Sequence, residues 1–413
     1  MNDMFNKKKK VLISTMGPLH LIKAAEYLQN LVDLQVVQGW IPNKWTKWMI
    51  KPISRIIGRD LSKTIIKRTP HCLEGRNHGL LLPELLNNLG RLIVKNTKWR
   101  TFLAIKSHSL YGVMSEKYVR DIDILHVRSG SGLRSIKKAK KRGIKVLVDH
   151  SIAHPYYIRE HLSEEFKKYN ISIEKAFPKK MWDLILEDCW NTDILLVNSD
   201  FVKNTFVQYG YDSRKIYIVT QGVRDDFFCL KNEYRITGTV KILFTGGFGF
   251  RKGAEYILKA CQVLDSMDFN YELIVVGEHT ESKELVKNIP IKNIRLVGFL
   301  PQVELKQYLK SSDIYLFPSL VEGCASSGLE AMAAGLPVIA TYESGLPIRD
   351  GENGIIISSK NVDQIVENIL YLAKYEDVRK KFGQNAAQLI STEYTWTKYA
   401  NKVEYIYNIM TKS

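Results

Sequence analysis

Short apolar runs alternate with segments of helical periodicity along most of the chain. Strands are predicted at residues 11–14, 34–38, 122–127, 145–149, 194–197 and 215–219, and again at 240–244, 272–276, 294–297, 314–318 and 338–341. Short apolar runs between polar turns are typical of buried strands, and helices between them indicate parallel pairing. The pattern therefore predicts an α/β protein with two doubly wound halves that meet at a cleft.

The alternation is interrupted once, near the middle of the chain. Gln221 and Gly222 close the first half, and the polar stretch 223–238 is interpreted as a linker. We predict a first domain at 1–222 and a second domain at 223–394. An amphipathic final helix, within 395–413, is expected to cross back onto the first domain. A chain of 413 residues is long enough for two domains of ordinary size.

Residues 321–337, VEGCASSGLEAMAAGLP, carry two carboxylates next to a predicted helix start. Glu322 lies on a loop after a strand, Ser326 and Ser327 are expected to cap a helix from near Gly328, and Glu330 lies in its first turn. Carboxylates accept paired hydrogen bonds from vicinal sugar hydroxyls, and the amides of 324–329 suit a phosphate. The stretch predicts a nucleotide-sugar site. A capping box, in which Glu330 only satisfies a backbone amide, is the alternative.

A second stretch, 246–253, is a glycine-rich turn that ends in two cations, Arg251 and Lys252. It is neither a P-loop, since no Gly-Lys-Ser/Thr occurs, nor a dinucleotide fingerprint, since Lys252 stands where a third glycine is needed. Glycines such as Gly247 let the backbone approach a diphosphate, and the cations would stabilise the charge that grows as a nucleotide leaves. The alternative is a pair of surface cations before a helix.

The two glutamates, separated by seven residues and followed by EAMAAGLPVIAT, resemble the signature of family-four glycosyltransferases. These are retaining enzymes of the GT-B fold, with two Rossmann-like domains facing a central cleft. The resemblance implies that Arg251 and Lys252 hold the diphosphate, that Glu330 binds the ribose and that Glu322 binds the transferred sugar. It also implies no metal and no other cofactor.

The same resemblance assigns further positions. His150, after a strand of the first half, would face the donor sugar, although it could simply end that strand. The remaining donor-site expectations are Gly17, Gly247, Phe299, Cys324, Ala325, Ser326 and Ser327. Two departures are Ala325, where relatives often have glycine, and Ile348-Arg349-Asp350, where a glutamate is common.

Composition and charge indicate the cellular compartment and the kind of partner. Five scattered cysteines form no CxxC pair and argue for a reducing compartment, and no apolar stretch is long enough to span a membrane. The start, Lys7–Lys10 followed by an apolar run, imitates a signal peptide but lacks a cleavage site and is interrupted by Gly17-Pro18. The net charge of +17 is concentrated in the first 150 residues, so an anionic surface is the expected partner.

Residues 43–68 combine aromatic and basic side chains at helical spacing, which is typical of a helix lying in a membrane interface. The expected membrane or acceptor contacts are Trp45, Lys47, Trp48, Lys51 and Arg55. An ordinary surface helix packed on the domain core is the alternative.

The sequence thus favours a glycosyltransferase that moves a hexose or N-acetylhexosamine from a nucleotide sugar to a lipid-linked or polysaccharide acceptor. A UDP-sugar is favoured over a GDP-sugar as the donor. The domain at 1–222 would bind the acceptor, and the domain at 223–394 would bind the nucleotide sugar. The protein would work in the cytoplasm, peripherally associated with the inner membrane face. Two alternatives stay open. A nucleotide-sugar epimerase of the GT-B fold would leave 43–68 unexplained, and a non-enzymatic nucleic-acid-binding protein would leave Glu322 and Glu330 unexplained.

Overall fold

The computed structural model describes residues 8–17, 20–41, 70–94, 96–279 and 282–412. The expected membrane contacts at Trp45, Lys47, Trp48, Lys51 and Arg55 lie outside these ranges, so their roles stay predictions. Among the helices that are described, none combines the length and apolar character needed to cross a bilayer.

The described residues form two parallel sheets, one in each half of the chain. The strands of the first sheet are β1 (Lys10–Thr15), β2 (Asp33–Gln38), β3 (Asn77–Gly79), β4 (Ile124–Arg128), β5 (Lys145–His150), β6 (Ile194–Val197) and β7 (Ile216–Ile218). They lie in the order β3-β2-β1-β4-β5-β6-β7. Those of the second sheet are β8 (Val240–Thr245), β9 (Tyr271–Val276), β10 (Ile294–Gly298), β11 (Ile314–Phe317), β12 (Val338–Thr341) and β13 (Ile355–Ile357), in the order β10-β9-β8-β11-β12-β13.

Every predicted strand is present, with ends that differ by one or two residues. Two strands were not predicted, β3 and β13, which are three residues long and lie at sheet edges. Their sequences, NHG and III, are too short for a pattern of alternation or burial to stand out.

Helices cover both sheets. In the first half they are α1 (His20–Leu28), α2 (Leu81–Ile93), α3 (Thr97–Ser115), α4 (Leu133–Lys141), α5 (Pro155–Lys168), α6 (Ile173–Ala176), α7 (Lys179–Trp190) and α8 (Asp200–Gln208). In the second they are α9 (Ala254–Ser266), α10 (Lys283–Asn288), α11 (Gln302–Ser311), α12 (Ser326–Ala334), α13 (Val362–Lys374), α14 (Glu376–Glu393) and α15 (Trp396–Lys412). The N-cap of α8 is Ser199, whose Oγ accepts from the amide of Val202.

The last helix, α15, packs on α1 and on the first sheet. Trp396 stacks on Tyr27 with 6.3 Å between ring centroids, and the Tyr407 hydroxyl lies 2.6 Å from Nδ1 of the buried His126. Tyr399, Val403 and Tyr407 are each at most 2% exposed. This apolar face buries the helix against the first half of the chain, although it follows the second half in sequence.

A buried carboxylate joins the two halves on one flank. Glu165 of α5 is 3% exposed and accepts from the Tyr256 hydroxyl at 2.9 Å and from Lys168 at 3.0 Å, and it pairs with Lys360 at 2.7 Å. Burial raises the pKa of Glu165, but the bonds from Lys360, Lys168 and Tyr256 outweigh it and leave that pKa below its usual value.

We expect Glu165→Ala to lower the free energy of unfolding by about 1–3 kcal/mol at pH 7, because Tyr256 loses a buried partner. Since the folded carboxyl has the lower pKa, its stabilisation is present at pH values above the unfolded pKa and is lost as the pH falls. Denaturant unfolding at several pH values measures this, and the deficit of the variant should shrink in acid. A deficit that is equally large at acid pH would contradict the role of the ionised carboxylate. Glu352→Ala, at an exposed ion pair, is the control.

Candidate active site

The loops at the carboxyl ends of β8 and β11 meet over the start of α12. Gly253, which ends the glycine-rich turn, has φ +77° and packs so tightly that a Cβ would lie 2.1 Å from the carbonyl oxygen of Pro318. The backbone oxygen of Arg251 accepts from the Leu320 amide at 2.9 Å. The two predicted stretches, far apart in sequence, are therefore locked together by backbone contacts at this sheet edge.

The two cations and the first glutamate form one charged group. Arg251 Nη1 lies 2.7 Å from Glu322 Oε2, and Lys252 Nζ lies 3.4 Å from the same oxygen. Arg251 also donates to the Val321 carbonyl at 2.8 Å. All three side chains are between 15% and 27% exposed, so they are held in place yet open to a ligand.

Lys252 is the more enclosed cation. Its ammonium lies 4.9 Å from the ring centre of Phe317, and burial lowers its pKa although Glu322 raises it. A partly desolvated cation gains free energy when an anion approaches, because the anion replaces lost hydration. Lys252 is therefore prepared for an anion such as a diphosphate.

The start of α12 differs from the prediction. The helix begins at Ser326 with Ala325 at the N-cap, and no side chain caps it, so the prediction that Ser326 and Ser327 cap the helix is wrong. The Ser327 hydroxyl instead donates to the carbonyl of Thr245 at 3.0 Å and bonds the Tyr315 hydroxyl at 3.1 Å. These bonds fix the helix start on β8 and β11.

The open amides at this helix start are fewer than expected. Those of Ala325 and Leu329 bond to Ser344 and Ala325 carbonyls, respectively. In the described part of the chain, the amides of Ser326, Ser327 and Gly328 have no backbone partner. Three amides at a helix N-terminus still suit an anionic oxygen.

The second glutamate, Glu330, faces a cavity between the halves and not the helix start. Burial raises the pKa of Glu330 to about 7, an effect that Arg224 partly offsets. No hydrogen bond to the Glu330 carboxylate is found within the described ranges, so the structure gives the capping-box alternative no support. The cavity has about 270 Å³ and is lined by His20, Lys23, Gln221, Gly222, Val223, Arg224, Ser326, Glu330 and Trp396.

His150 ends β5 and is 1% exposed. Its Nδ1 lies 2.8 Å from Ser129 Oγ, while its Nε2 is buried with no hydrogen-bond partner in the described chain. Burial lowers the pKa of His150 to about 3, so the ring is neutral at pH 7. It is placed as a hydrogen-bonding group and not as a cation.

The loop after His150 contacts the loop of Glu322 across the halves. The Ala153 amide donates to the Glu322 carbonyl at 3.3 Å, and the Ser199 hydroxyl donates to the Gly323 carbonyl at 2.6 Å. A Cβ on Gly323 would lie 2.0 Å from the Ser151 carbonyl oxygen, so only glycine permits this approach. The structure thus brings the loops that carry His150 and Glu322 together across the cleft.

The other residues predicted to bind the donor differ in how far they are exposed to a ligand. Cys324 and Ala325 are 6% and 4% exposed, so only their backbone could reach a ligand. Phe299 is 90% exposed after β10, and a Cβ added to Gly247 would meet no other atom within 4 Å. Gly17 follows β1 at the cleft, where its carbonyl accepts from Thr15 at 3.0 Å.

Two residues were missed or ranked low in the sequence. Arg224, which lines the cavity together with Glu330, lies in the stretch interpreted as a linker. His20, which ranks below His150 as a candidate in the sequence, lies 3.0 Å from Asp149 Oδ2, while Arg128 Nη1 lies 2.7 Å from Asp149 Oδ1. Burial raises the pKa of Asp149, but His20 and Arg128 outweigh it and hold that pKa well below its usual range. The only indication of a role in the sequence was their position, since His20 follows the first strand and Arg224 lies at the junction of the two halves.

Residues 230–389 match the family model described as Glycosyl transferases group 1. This part of the chain is a group 1 glycosyltransferase domain. The resemblance is thereby confirmed at the level of group 1 glycosyltransferases. Arg251, Lys252, Glu322 and Glu330 all lie within this glycosyltransferase domain, whereas His150 and Gly17 lie outside it.

Relatives and solved structures agree with the domain. The chain is 29% identical over 221 residues to an uncharacterized glycosyltransferase of Methanocaldococcus jannaschii, covering 52% of this chain and 60% of that protein. It is 29% identical over 243 residues to the amylovoran biosynthesis glycosyltransferase AmsK of Erwinia amylovora, covering 56% of this chain and 55% of AmsK. The matched stretch thus spans little more than half of each relative.

The structure of Anabaena HepE in complex with UDP superimposes with a TM-score of 0.65 at 13% identity, covering 97% of this chain and 100% of that one. The GT-B fold of two facing α/β domains is confirmed. Among the described residues, no group of three His, Cys, Asp or Glu side chains could hold a metal ion.

Proposed function

We propose that the protein transfers a hexose or N-acetylhexosamine from a UDP-sugar to a lipid-linked or polysaccharide acceptor, with retention of configuration and without a metal. The observation that carries the proposal is the group formed by Arg251, Lys252 and Glu322 beside the open amides of α12, within a group 1 glycosyltransferase domain. UDP is preferred because HepE, which shares the fold, is described in complex with UDP. The polysaccharide acceptor is suggested by AmsK, which is named for amylovoran biosynthesis.

In this proposal the diphosphate binds between Arg251, Lys252 and the amides of Ser326–Gly328. When the bond from the sugar to the diphosphate breaks, its electron pair stays with the diphosphate, and the two cations stabilise the added charge. Glu330 accepts hydrogen bonds from the ribose hydroxyls. Phe299, exposed directly after β10, would lie beside the base.

The transferred sugar would lie between Glu322 and His150. Glu322 must first give up its pairing with Arg251 and Lys252, which the diphosphate replaces, and is then available to sugar hydroxyls. The unpartnered Nε2 of the neutral His150 can take part in one further hydrogen bond. The acceptor would attack from the side of the first domain, at the cytosolic face of a membrane, with residues 43–68 as an expected contact.

Thermal unfolding with UDP, GDP, ADP and dTDP tests the donor site. A nucleotide at 100 times its dissociation constant stabilises by about 2.7 kcal/mol, which raises Tm by several degrees. We expect the largest shift with UDP, and a smaller one with UMP, which lacks the second phosphate. Equal shifts with UDP and inorganic pyrophosphate would mean that only an anion site is present. No shift with any nucleotide would contradict the proposal.

A further inference from the structure

The hairpin of α2 and α3 exposes many large apolar side chains, which a helix packed on a core normally buries. Its most exposed apolar side chains are Leu81, Leu82, Leu85, Leu89, Trp99 and Phe102, each between 43% and 59% exposed. Single exposed apolar residues are ordinary, but a contiguous set marks an interaction surface.

The α3 part of this surface has the chemistry of a membrane interface. Trp99, Phe102 and Lys106 follow one another at helical spacing. The rings of Trp99 and Phe102 meet edge to face at 5.7 Å, and the Lys106 ammonium lies 5.5 Å from the Phe102 ring centre. Tryptophan and lysine prefer the head-group region of a bilayer, where an apolar body and a polar tip are both satisfied.

An apolar groove of about 550 Å³ lies beside the same helix. Its lining is formed by Thr97, Lys98, Thr101, Phe102, Ile105, Ser172, Glu174, Lys175, Pro178 and Lys180. The one acidic side chain, Glu174, is paired with Arg159 at 3.0 Å. Lys98, Lys175 and Lys180 have no ion-pair partner in the part of the chain that is described. The rim therefore carries unmatched positive charge, which is complementary to lipid phosphates.

The surface is placed beside the opening of the cleft. Ser107 Oγ, which donates to the Pro83 carbonyl at 2.5 Å, lies 3.4 Å from Met16 Sδ, and His108 Nδ1 lies 2.6 Å from the Gly130 carbonyl. This part of α3 is therefore level with the carboxyl ends of β1 and β4. The ten residues 97–106 extend beyond that level by on the order of 15 Å. A bilayer on this surface would lie next to the loops that form the site.

We propose that the start of α3 and the groove beside it dock on an anionic bilayer. Trp99 and Phe102 enter the head-group region, and Lys98, Lys175 and Lys180 contact lipid phosphates. Docking here would present a lipid-linked acceptor at the cleft opening. The residues of this surface are not those of 43–68, on which the sequence-based expectation of membrane contact rests. The link to the acceptor rests on the proposed function, but the docking itself does not.

Flotation of the full chain with vesicles, without any nucleotide, tests the proposal. We expect binding to phosphatidylcholine vesicles that contain about one third phosphatidylglycerol, and much weaker binding to phosphatidylcholine alone. Trp99→Ala/Phe102→Ala should lower the partition coefficient by at least about 10-fold. Lys98→Gln/Lys175→Gln/Lys180→Gln should lower it by on the order of 100-fold and remove most of its salt dependence.

Matched controls are Trp190→Ala, at another exposed tryptophan of the first half, and Lys287→Gln/Lys310→Gln/Lys381→Gln, which removes the same charge from the second half. Both should bind vesicles as the wild type does, and the UDP-induced Tm shift should be unchanged in all variants. Binding that the α3 variants do not weaken would assign the membrane contact to another segment and overturn the proposal. Absent vesicle binding with an intact UDP shift would overturn the docking surface but leave the proposed function standing.

Discussion

Arg251→Ala and Lys252→Ala are each expected to lower kcat/KM for sugar transfer by about 100- to 1,000-fold. Both cations point at the position where we place the diphosphate, and cations fixed there stabilise the departing nucleotide more than the bound substrate. The measurement is initial rates of UDP release with the preferred donor. We expect kcat to fall more than KM rises, because the interaction strengthens as the bond breaks.

The double variant separates catalysis from pairing. Each single variant leaves Glu322 one cation, Lys252 at 3.4 Å or Arg251 at 2.7 Å. The double variant leaves a carboxylate that is 15% exposed without either partner, so its loss of stability should exceed the sum of the two single losses. Arg295→Ala, which removes an exposed pair with Glu272, is the control and should change neither rate nor stability much. Wild-type rates in either single variant would exclude the diphosphate role.

The fold could be predicted because burial is periodic in this sequence. The strands from β8 to β11 are short apolar runs, and each is followed by a polar turn and a helix. The site stretches were equally visible, since Glu322 and Glu330 interrupt an apolar sequence that otherwise reads as strand and helix. Charges that interrupt a core pattern are costly unless they are paired or bind a ligand, and this made them stand out.

The sequence alone did not predict which charged side chains pair with one another in the folded protein. The pairing of Glu322 with Arg251 joins residues about 70 positions apart, and the spatial position of Arg224 depends on how the junction crosses the cleft. The N-terminus of α12 was misjudged for a related reason. Serine is a common N-cap residue, but in the folded protein the Ser327 hydroxyl is hydrogen-bonded to the Tyr315 hydroxyl and to the Thr245 carbonyl.

Glu330→Gln is expected to make the unliganded protein more stable at pH 8 and to impair nucleotide binding. Burial raises the pKa of Glu330 to about 7, so the folded state holds its proton more tightly than the unfolded chain, whose carboxyl has the usual value of 4.5. Stability therefore falls as the pH rises from about 4.5 to 7 and is level above. One pKa unit corresponds to about 1.4 kcal/mol, so ionisation costs roughly 2 kcal/mol after allowance for partial exposure.

Glutamine has the same shape but no charge, so the variant avoids this cost. Its stability advantage over the wild type should be near zero at pH 4 and reach about 2 kcal/mol at pH 8, as measured by denaturant unfolding. Glu352→Gln, at an exposed carboxylate, should show no such dependence.

The same substitution should weaken UDP binding by about 10- to 100-fold, because a carboxylate accepts two charge-assisted hydrogen bonds from a ribose and an amide accepts weaker ones. The ionised Glu330 would thus lower the stability of the unliganded protein, and its replacement would weaken ligand binding. This combination indicates a binding role for Glu330 and not a role as a helix cap. Calorimetric titration with UDP at pH 8 decides between the two. If the variant is less stable than the wild type and binds UDP equally well, Glu330 is a structural residue and the ribose must be held elsewhere.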